Sequence, residues 1–332
     1  MKVLFRTNGG CNIGSGHLCR CITLAKAIKT LEYNTNIIFI INEEAVNKLT
    51  NNCFDILISE HYDEKDLTLI ESLKPDIIIF DSYLADNKYL ENLANIAKLA
   101  VFDDNDNIYN FSSVSIIING NIFANTLYNP RRENTKYLLG PKYLVMKQEY
   151  WHMDKTDLYQ ADNYKTIMIT TGSTDNNNLM IKFITCLKDL GIKLKVIIGH
   201  FYTEEEINKI KDLTFHKNIE LVYKPASLKE HILTSDLVIT AAGSTVYEIL
   251  LLKKPLIIFT LADNQYKNSK SLEKYGILNL GWFEDIRWGT LPSSIANVYN
   301  NLTSYTQNIK HLYNMIDEQG AFRVAKLLLM EK

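Results

Sequence analysis

Short apolar segments alternate with longer segments of helical periodicity along most of the chain. In the first half, the apolar segments are KVLF, NIIFII, FDILI, PDIIIFD, LAVFDD and VSIIING. Segments that are apolar throughout are typical of buried parallel strands. Helical segments such as HLCRCITLAKAIKTL lie between them. This alternation of strand and helix favours a doubly wound α/β sheet.

The alternation stops around residues 140–163 and then begins again. The interrupting stretch contains a Gly–Pro turn followed by polar residues without a strand pattern, which indicates a linker. Further strands are predicted at TIMITT, LKVIIG, IELVY, SDLVITAAGST, KPLIIFT and GILNLG, and residues 292–332 are predicted to be helical. We therefore predict two α/β domains, residues 1–150 and residues 151–332, the second with a helical tail. Two such domains usually enclose a cleft, and ligands of open α/β sheets bind at the carboxyl ends of strands.

Composition excludes several classes of protein. The chain has 332 residues and a formal net charge of -2, so it has no basic bias and nucleic acid is not an expected partner. No apolar run approaches the ~20 residues of a membrane span, and the apolar start is too short for a signal peptide. The five cysteines are an odd number, which favours a reducing, cytoplasmic setting over a disulfide framework. Cys11, Cys19 and Cys21 lie close together, but no second ligand cluster follows, so no metal site is predicted.

The first strand end carries the stretch RTNGGCNIGSGHLCRC, residues 6–21. Glycines let the backbone approach a ligand closely, and the start of a helix near His17 favours anionic groups. Gly10, Gly14 and Gly16 do not have the G-x-G-x-x-G spacing of a dinucleotide site. At this point His17 has two interpretations, a chemical role or a helix-start residue satisfied by the backbone.

The strand end at FDSYLAD places Asp81, Tyr83 and Asp86 in one turn. Asp86 is predicted to cap the next helix, which needs no function. Tyr83 is a hydrogen-bond donor for a phosphate or a sugar.

Three strand ends in the second half carry small or amide-rich turns. TTGSTDNNN suits either a phosphate or an ordinary helix cap, and it lacks the Gly-Lys-Ser/Thr of a P-loop. In TAAGSTVYE, Ser244 and Thr245 could hold a diphosphate and Glu248 a ribose, although Thr245-x-x-Glu248 is also a capping-box pattern. TLADNQ places Asp263, Asn264 and Gln265 together, which suits a hydroxyl-rich ligand.

Seven motifs in order resemble one family. They are NIGSGHLCRC, DSYLAD, the pair Asp103–Asp104, LLGPKY, TGSTD, GSTVYE and ADNQ, and they span roughly residues 2–282. The chain resembles the UDP-sugar hydrolases of pseudaminic acid biosynthesis and the related spore-coat polysaccharide proteins. That family is similar to the GT-B glycosyltransferases, especially the lipid II N-acetylglucosaminyl transferase. The departures are Ser82, where relatives often have His, and Ser173 and Ala242, where they have Gly.

The resemblance implies two Rossmann-like domains facing a central cleft, with UDP bound to the second. It implies that His17 activates water, which attacks the anomeric carbon of UDP-2,4-diacetamido-2,4,6-trideoxy-β-L-altropyranose while UDP leaves. A neutral imidazole suits this task. The implied substrate-binding residues are Arg6, Asn8, Gly14, Gly16, Arg20, Asp81, Tyr83, Asn264 and Gln265. The implied UDP-binding residues are Gly172, Ser173, Thr174, Gly243, Ser244, Thr245 and Glu248.

No metal and no cofactor is required in this scheme, and the chain is expected to be a monomer or a weak dimer. Three alternatives stay open at this point. A GT-B glycosyltransferase would pass the sugar to an acceptor, a non-catalytic protein would only bind the nucleotide sugar, and a hydrolysing 2-epimerase would release a different sugar.

Overall fold

The computed structural model describes residues 1–10, 16–49, 52, 54–105, 113–129, 131–153, 165–175, 177–213 and 217–330. The chain divides into two compact units. The first unit comprises residues 1–153 and 317–332, and the second comprises residues 154–316.

A parallel sheet forms the centre of the first unit. Its strands, over the described residues, are β1 (Lys2–Thr7), β2 (Asn36–Ile41), β3 (Asp55–Ile58), β4 (Ile77–Asp81), β5 (Lys98–Phe102), β6 (Ile116–Asn119) and β7 (Lys136–Leu139). The spatial order is β3-β2-β1-β4-β5-β6-β7. The strand order therefore reverses between β1 and β4, and the carboxyl ends of such a pair are where open α/β sheets bind ligands.

Helices cover both faces of this sheet. The three that follow the early strands are α1 (Gly16–Leu31), α2 (Glu64–Leu73) and α3 (Asn87–Ile96). Leu24 and Ile28 of α1 pack in the apolar core on one face, whereas Leu90 and Leu93 of α3 pack on the other. Asp86 caps α3 by accepting the Tyr89 N–H at 2.8 Å, as predicted.

The second unit repeats this plan. Over the described residues its strands are β8 (Thr166–Thr170), β9 (Lys193–Ile198), β10 (Ile219–Tyr223), β11 (Leu237–Ala241), β12 (Leu256–Thr260) and β13 (Leu278–Trp282). They are parallel, in the order β10-β9-β8-β11-β12-β13, so the reversal lies between β8 and β11. The helices described here are α4 (Leu179–Leu187), α5 (Glu204–Lys211), α6 (Lys229–Leu233), α7 (Thr245–Leu251), α8 (Asp263–Lys274), α9 (Leu291–Asn300) and α10 (Leu302–Tyr313).

The last helix, α11 (Gly320–Leu329), groups with the first unit. Its apolar residues, among them Val324 and Leu328, lie in the same core as α1, and Phe322 lies against Trp151 with 4.6 Å between ring centroids. The predicted domain of residues 151–332 therefore differs from the second unit at its end. The physical reason is that the apolar face of α11 is buried on the first unit.

The predicted linker of residues 140–163 is wrong over its first part. Tyr150 and Trp151 are buried, and the Trp151 indole N–H donates to the Met146 carbonyl oxygen at 2.8 Å. Short 3-10 turns at Pro141–Tyr143 and Gln148–Tyr150 bring these side chains to the core. Residues 154–164 of the predicted linker lie outside the described residues.

Candidate active site

His17 and Asp81 meet where the strand order of the first sheet reverses. The helix α1 begins at Gly16, so His17 lies in its first turn, and Asp81 is the last residue of β4. The His17 Nδ1 atom lies 2.6 Å from Asp81 Oδ1. An ionised carboxylate only accepts hydrogen bonds, so Nδ1 is the donor, and in the neutral imidazole this leaves the lone pair on Nε2. Among the described residues, none is hydrogen-bonded to Nε2.

Arg20 joins Asp81 to a second carboxylate. Its Nε and Nη2 atoms lie 2.5 and 2.6 Å from the two oxygens of Asp81. Its Nη1 atom donates to Asp104 Oδ1 at 3.0 Å, and the guanidinium lies 4.6 Å from the centre of the Phe102 ring. The side chains of His17, Asp81 and Arg20 therefore form one hydrogen-bonded cluster with Asp104.

Tyr83 and Asn121 complete this cluster. The Tyr83 hydroxyl donates to Asp104 Oδ2 at 2.6 Å, and its ring meets the His17 ring edge to face at 4.5 Å. Asn121 Nδ2 donates to Asp104 Oδ1 at 3.0 Å. Asp81, Asp104 and Asn121 lie at or just beyond the ends of β4, β5 and β6, which are neighbours in the sheet. Asp104 lies in a predicted motif, whereas Asn121 was not predicted, although its position two residues after a strand was an available signal.

Both carboxylates of the cluster are held in the ionised form. Burial alone would raise the pKa of Asp81, but Arg20 and His17 outweigh burial and hold that pKa well below its usual range. The pKa of Asp104 is likewise lowered, because Arg20 and the Tyr83 hydroxyl offset its burial. Burial and the neighbouring Asp104 raise the pKa of Tyr83, so its hydroxyl remains a donor at neutral pH.

The other predicted substrate residues of the first unit have different surroundings. Arg6 is buried, bonds Asp66 through Nε at 2.9 Å and donates to main-chain carbonyl oxygens. Asn8 is buried, and neither atom of its amide has a hydrogen-bond partner in the described part of the chain. Gly16 is exposed at the start of α1, and Gly14 lies outside the described residues.

A cavity of 410 Å³ lies in the second unit, at the carboxyl ends of β8, β11 and β12. Six of the seven predicted UDP-binding residues line it, together with Gln265; they are Gly172, Ser173, Thr174, Gly243, Ser244 and Thr245. Glu248 is buried on α7, and Asn264 is exposed on α8; neither belongs to the lining. The motifs predicted for the second domain thus come together in one concave site.

A close backbone contact shapes the wall formed by the loop after β8. Gly172 has φ of +102°, which favours glycine. Gly199 packs directly on this loop, since a Cβ atom at Gly199 would lie 2.4 Å from the Gly172 carbonyl oxygen. The Thr171 hydroxyl is hydrogen-bonded to the Tyr202 hydroxyl at 2.6 Å. These contacts fix the loop at the base of the cavity.

Amide side chains of α8 hold the opposite wall. Asn268 Nδ2 donates to the Ala242 carbonyl oxygen at 2.9 Å and its Oδ1 accepts from the Tyr247 hydroxyl at 2.8 Å. Gln265 Oε1 accepts the Leu261 N–H at 2.9 Å. Asn268 was missed in the sequence analysis because it lies one helical turn beyond the amide-rich motif.

The capping-box interpretation of Thr245-x-x-Glu248 is wrong. The helix α7 begins at Thr245 itself, its N-cap is Ser244, and the Ser244 side chain makes no capping hydrogen bond. Ser244 and Thr245, which both carry hydroxyl groups, instead line the cavity.

The cavity lining is almost uncharged. Hydroxyl groups, amides and main-chain atoms dominate it, and Asp175 is the one charged residue among those that line it. Asp175 accepts the N–H groups of Leu179 and Met180, both at 2.9 Å, at the start of α4. Burial raises the pKa of Asp175 to about 7 in spite of these two bonds. Asp175 is the last residue of the TGSTD motif, and no role was predicted for it.

No group of three or more His, Cys, Asp or Glu side chains in the described part is placed to hold a metal ion, and Cys11 lies outside that part. None of the helices described here combines the length and apolar character needed to cross a bilayer.

Comparison with known proteins supports the predicted resemblance. Residues 166–328 match the glycosyltransferase family 28 C-terminal domain. The chain is 24% identical to the UDP-2,4-diacetamido-2,4,6-trideoxy-β-L-altropyranose hydrolase of Campylobacter jejuni, over 83% of this chain and 97% of that protein. It is 22% identical to the spore coat polysaccharide biosynthesis protein SpsG of Bacillus subtilis, over 99% and 98%. The predicted resemblance is confirmed. An uncharacterized protein of Methanocaldococcus jannaschii, MJ1062, is 29% identical over 90% of this chain and 67% of its own length.

Solved structures confirm the fold class. MurG of Acinetobacter baumannii superposes with a TM-score of 0.70 at 14% identity and covers 99% of both chains. Anabaena Alr3699/HepE, solved in complex with UDP and glucose, gives a TM-score of 0.62 at 12% identity over 100% of both chains. The chain therefore has two Rossmann-like sheets of the GT-B type, as predicted.

Proposed function

We propose that the chain hydrolyses a UDP-linked diacetamido-trideoxy-hexose at the anomeric carbon, releasing the free sugar and UDP. The observation that carries this proposal is the His17–Asp81 pair, in which a buried, ionised carboxylate holds Nδ1 and Nε2 has no described partner. A histidine held in this way is oriented as a general base. The C. jejuni relative bears the name of a hydrolase of this kind.

The chemical step uses His17 as the proton acceptor. Nε2 takes a proton from water as the water oxygen forms a bond to the anomeric carbon. The bond between that carbon and the diphosphate oxygen breaks, and its electron pair leaves with UDP. Asp81 stabilises the imidazolium that forms, and the cluster around Asp81 keeps this carboxylate ionised.

UDP is assigned to the cavity of the second unit. The cavity volume of 410 Å³ lies within the range of about 300–1,000 Å³ usual for small-molecule sites. Serine and threonine hydroxyls from Ser173, Thr174, Ser244 and Thr245 line it and are suited to phosphate and ribose oxygens. Metal independence, a cytoplasmic location and a monomeric or weakly dimeric state remain predictions from the sequence.

A glycosyltransferase is the second candidate, because residues 166–328 match a glycosyltransferase domain and MurG shares the fold. The same histidine would then deprotonate an acceptor hydroxyl instead of water.

A hydrolysis assay without acceptor separates the two functions. The protein is incubated with a panel of UDP-sugars in ¹⁸O-water, and the released sugar is identified by mass spectrometry. We expect free sugar equal in amount to UDP, with the label on the anomeric oxygen of the diacetamido-trideoxy-hexose. Intact substrate together with tight UDP binding would instead support a transferase or a binding protein, and a C2-inverted sugar would support an epimerase. His17→Asn is the control, in which the release should fall by ~10²-fold or more.

A further inference from the structure

Arg20 makes its hydrogen bonds inside the protein. Nε and Nη2 bind the two oxygens of Asp81 at 2.5 and 2.6 Å, and Nη1 binds Asp104 at 3.0 Å. The Arg20 side chain is 23% exposed, and its guanidinium stacks on Phe102. A guanidinium bound on two sides by carboxylates has few N–H groups left to donate to a substrate anion. These contacts therefore favour a role for Arg20 other than the predicted binding of substrate.

We propose that Arg20 is a positioning residue that keeps His17 a neutral base by balancing the charge of Asp81. This inference rests on the proposed function. A buried carboxylate on its own favours the protonated form of a neighbouring imidazole, and a protonated imidazole cannot accept a proton. Arg20 lies three residues after His17 on α1, so the two side chains share one face of the helix, and its Nη2 atom lies 3.3 Å from His17 Nδ1.

The charges around His17 set the direction of the effect. The groups that face it are Asp81 from β4, Arg20 from its own helix and Tyr83 from the loop after β4, with Asp104 and Cys21 bound to those groups. Asp81 and Asp104 contribute two negative charges and Arg20 one positive charge. Removing Arg20 leaves both carboxylates uncompensated, and removing Asp104 leaves Arg20 to act on Asp81 alone.

The geometry also requires arginine at this position. A planar guanidinium binds both oxygens of Asp81 and still reaches Asp104, whereas a lysine ammonium is a single point charge. Asp104 is itself held by Tyr83 and Asn121, so the guanidinium lies between two fixed carboxylates.

The test is the pH dependence of hydrolysis. In Arg20→Gln we expect the acid limb of the kcat/KM profile to move ~1 pH unit or more to higher pH, with activity recovered at alkaline pH and KM within about threefold of wild type. Arg20→Lys should shift the limb less. Asp104→Asn should move it in the opposite direction, to lower pH. Arg323→Gln, which removes an arginine from an ion pair elsewhere in the first unit, should leave the profile unchanged.

A raised KM with an unmoved acid limb would overturn the inference and return Arg20 to a substrate-binding role. The ring-proton NMR titration of His17, assigned with His17→Asn, supplies a measurement that does not need turnover. Its midpoint should rise in Arg20→Gln and fall in Asp104→Asn, even if the hydrolase proposal fails. If Arg20→Gln does not fold, Asp104→Asn alone decides, and an unmoved midpoint in that variant would also overturn the inference.

Discussion

The two candidate sites of this chain consist of different types of residue. In the first unit, charged side chains bind one another: Asp81, Asp104 and Arg20 form a partly buried ion network that ends on His17. In the second unit, the cavity is lined by glycine, hydroxyl and amide residues, and Asp175 is the one charge among its lining residues. Both sites nevertheless occupy the same position in a parallel sheet, the carboxyl ends beside the reversal of strand order.

Under the proposed function, this difference separates the site of the chemical step from the site of nucleotide binding. A general base must be held at one angle and in one protonation state, which requires a rigid set of charges around it. A nucleotide site must admit a ligand to the backbone, which requires small residues and fixed loops. The comparison predicts that charge changes in the first unit affect stability and rate, whereas changes of shape in the second affect affinity.

The largest expected effect tests whether Arg6 belongs to the protein core or to the substrate site. Arg6 is 1% exposed and pairs with Asp66, which also accepts from the Tyr89 hydroxyl. Arg6→Met leaves a buried carboxylate without its partner, so the free energy of unfolding should fall by ~3–5 kcal/mol. Chemical denaturation measures this change, with the exposed Arg131→Met as control.

Combining Arg6→Met with Asp66→Leu should restore much of the lost stability, because the unpaired buried charge is then removed. A stable Arg6→Met protein with a raised KM would contradict the core assignment and would place Arg6 in the substrate site.

The second prediction concerns His17. His17→Ala should lower turnover by ~10²-fold or more, the usual scale for removing a positioned base, while UDP affinity stays unchanged because the cavity belongs to the second unit. Turnover per folded molecule and calorimetric UDP binding are measured on one preparation. His152→Ala, an exposed histidine of the same unit, is the matched control. A folded, fully active His17→Ala protein would rule out this mechanism.

A site residue could be predicted when the pattern that marks it lies within a short stretch of the sequence. His17, Asp81 and Tyr83 lie in short motifs directly after apolar segments, and the motifs of the second half predicted most of the cavity lining. Asn121 joins the cluster only because β4, β5 and β6 are neighbours, and local patterns do not specify the order of strands in a sheet.

Two larger features were missed for related reasons. The strand β7 has only four residues, and a polar stretch follows it. The pattern of that stretch did not predict that Tyr150 and Trp151 are buried. The helix α11 is amphipathic, but its sequence does not say which unit buries its apolar face. Both features depend on packing between segments distant in sequence, which periodicity alone does not reveal.

A change of shape in the second unit gives the third prediction. A Cβ atom added at Gly199 would lie 2.4 Å from the Gly172 carbonyl oxygen and 2.5 Å from that of Ser173, so the loop at the base of the cavity must move. We expect Gly199→Ala to weaken UDP binding about tenfold, which corresponds to about 1.4 kcal/mol and lies within the usual cost of overpacking. Calorimetry measures the affinity.

Gly289→Ala is the control for that experiment, because nothing lies within 4 Å of its added Cβ atom. Equal UDP affinity in the two alanine variants would show that UDP does not depend on the loop after β8, and the cavity assignment would fail.

The fourth prediction, with the smallest expected effect, concerns a more exposed ion pair, which serves as a reference for the partly buried network around Arg20. Asp317 bonds Arg323 with N···O distances of 2.6 Å, and its side chain is 42% exposed. Burial by itself would raise the pKa of Asp317, but the hydrogen bond from Arg323 lowers it below the usual value.

A carboxyl whose pKa is lower in the folded state stabilises the protein above its unfolded pKa of about 4, and this contribution disappears as the pH falls through the folded value. Asp317→Asn should therefore lower the free energy of unfolding by at most ~1 kcal/mol at pH 7 and by progressively less below pH 4, since exposed pairs are screened by solvent. Urea unfolding of both proteins at several pH values measures the difference. A loss at pH 7 as large as that of Arg6→Met, or one that does not change with pH, would contradict this prediction. It would show that exposure does not weaken ion pairs in the first unit, so the contrast between the buried and the exposed charges of that unit would no longer hold.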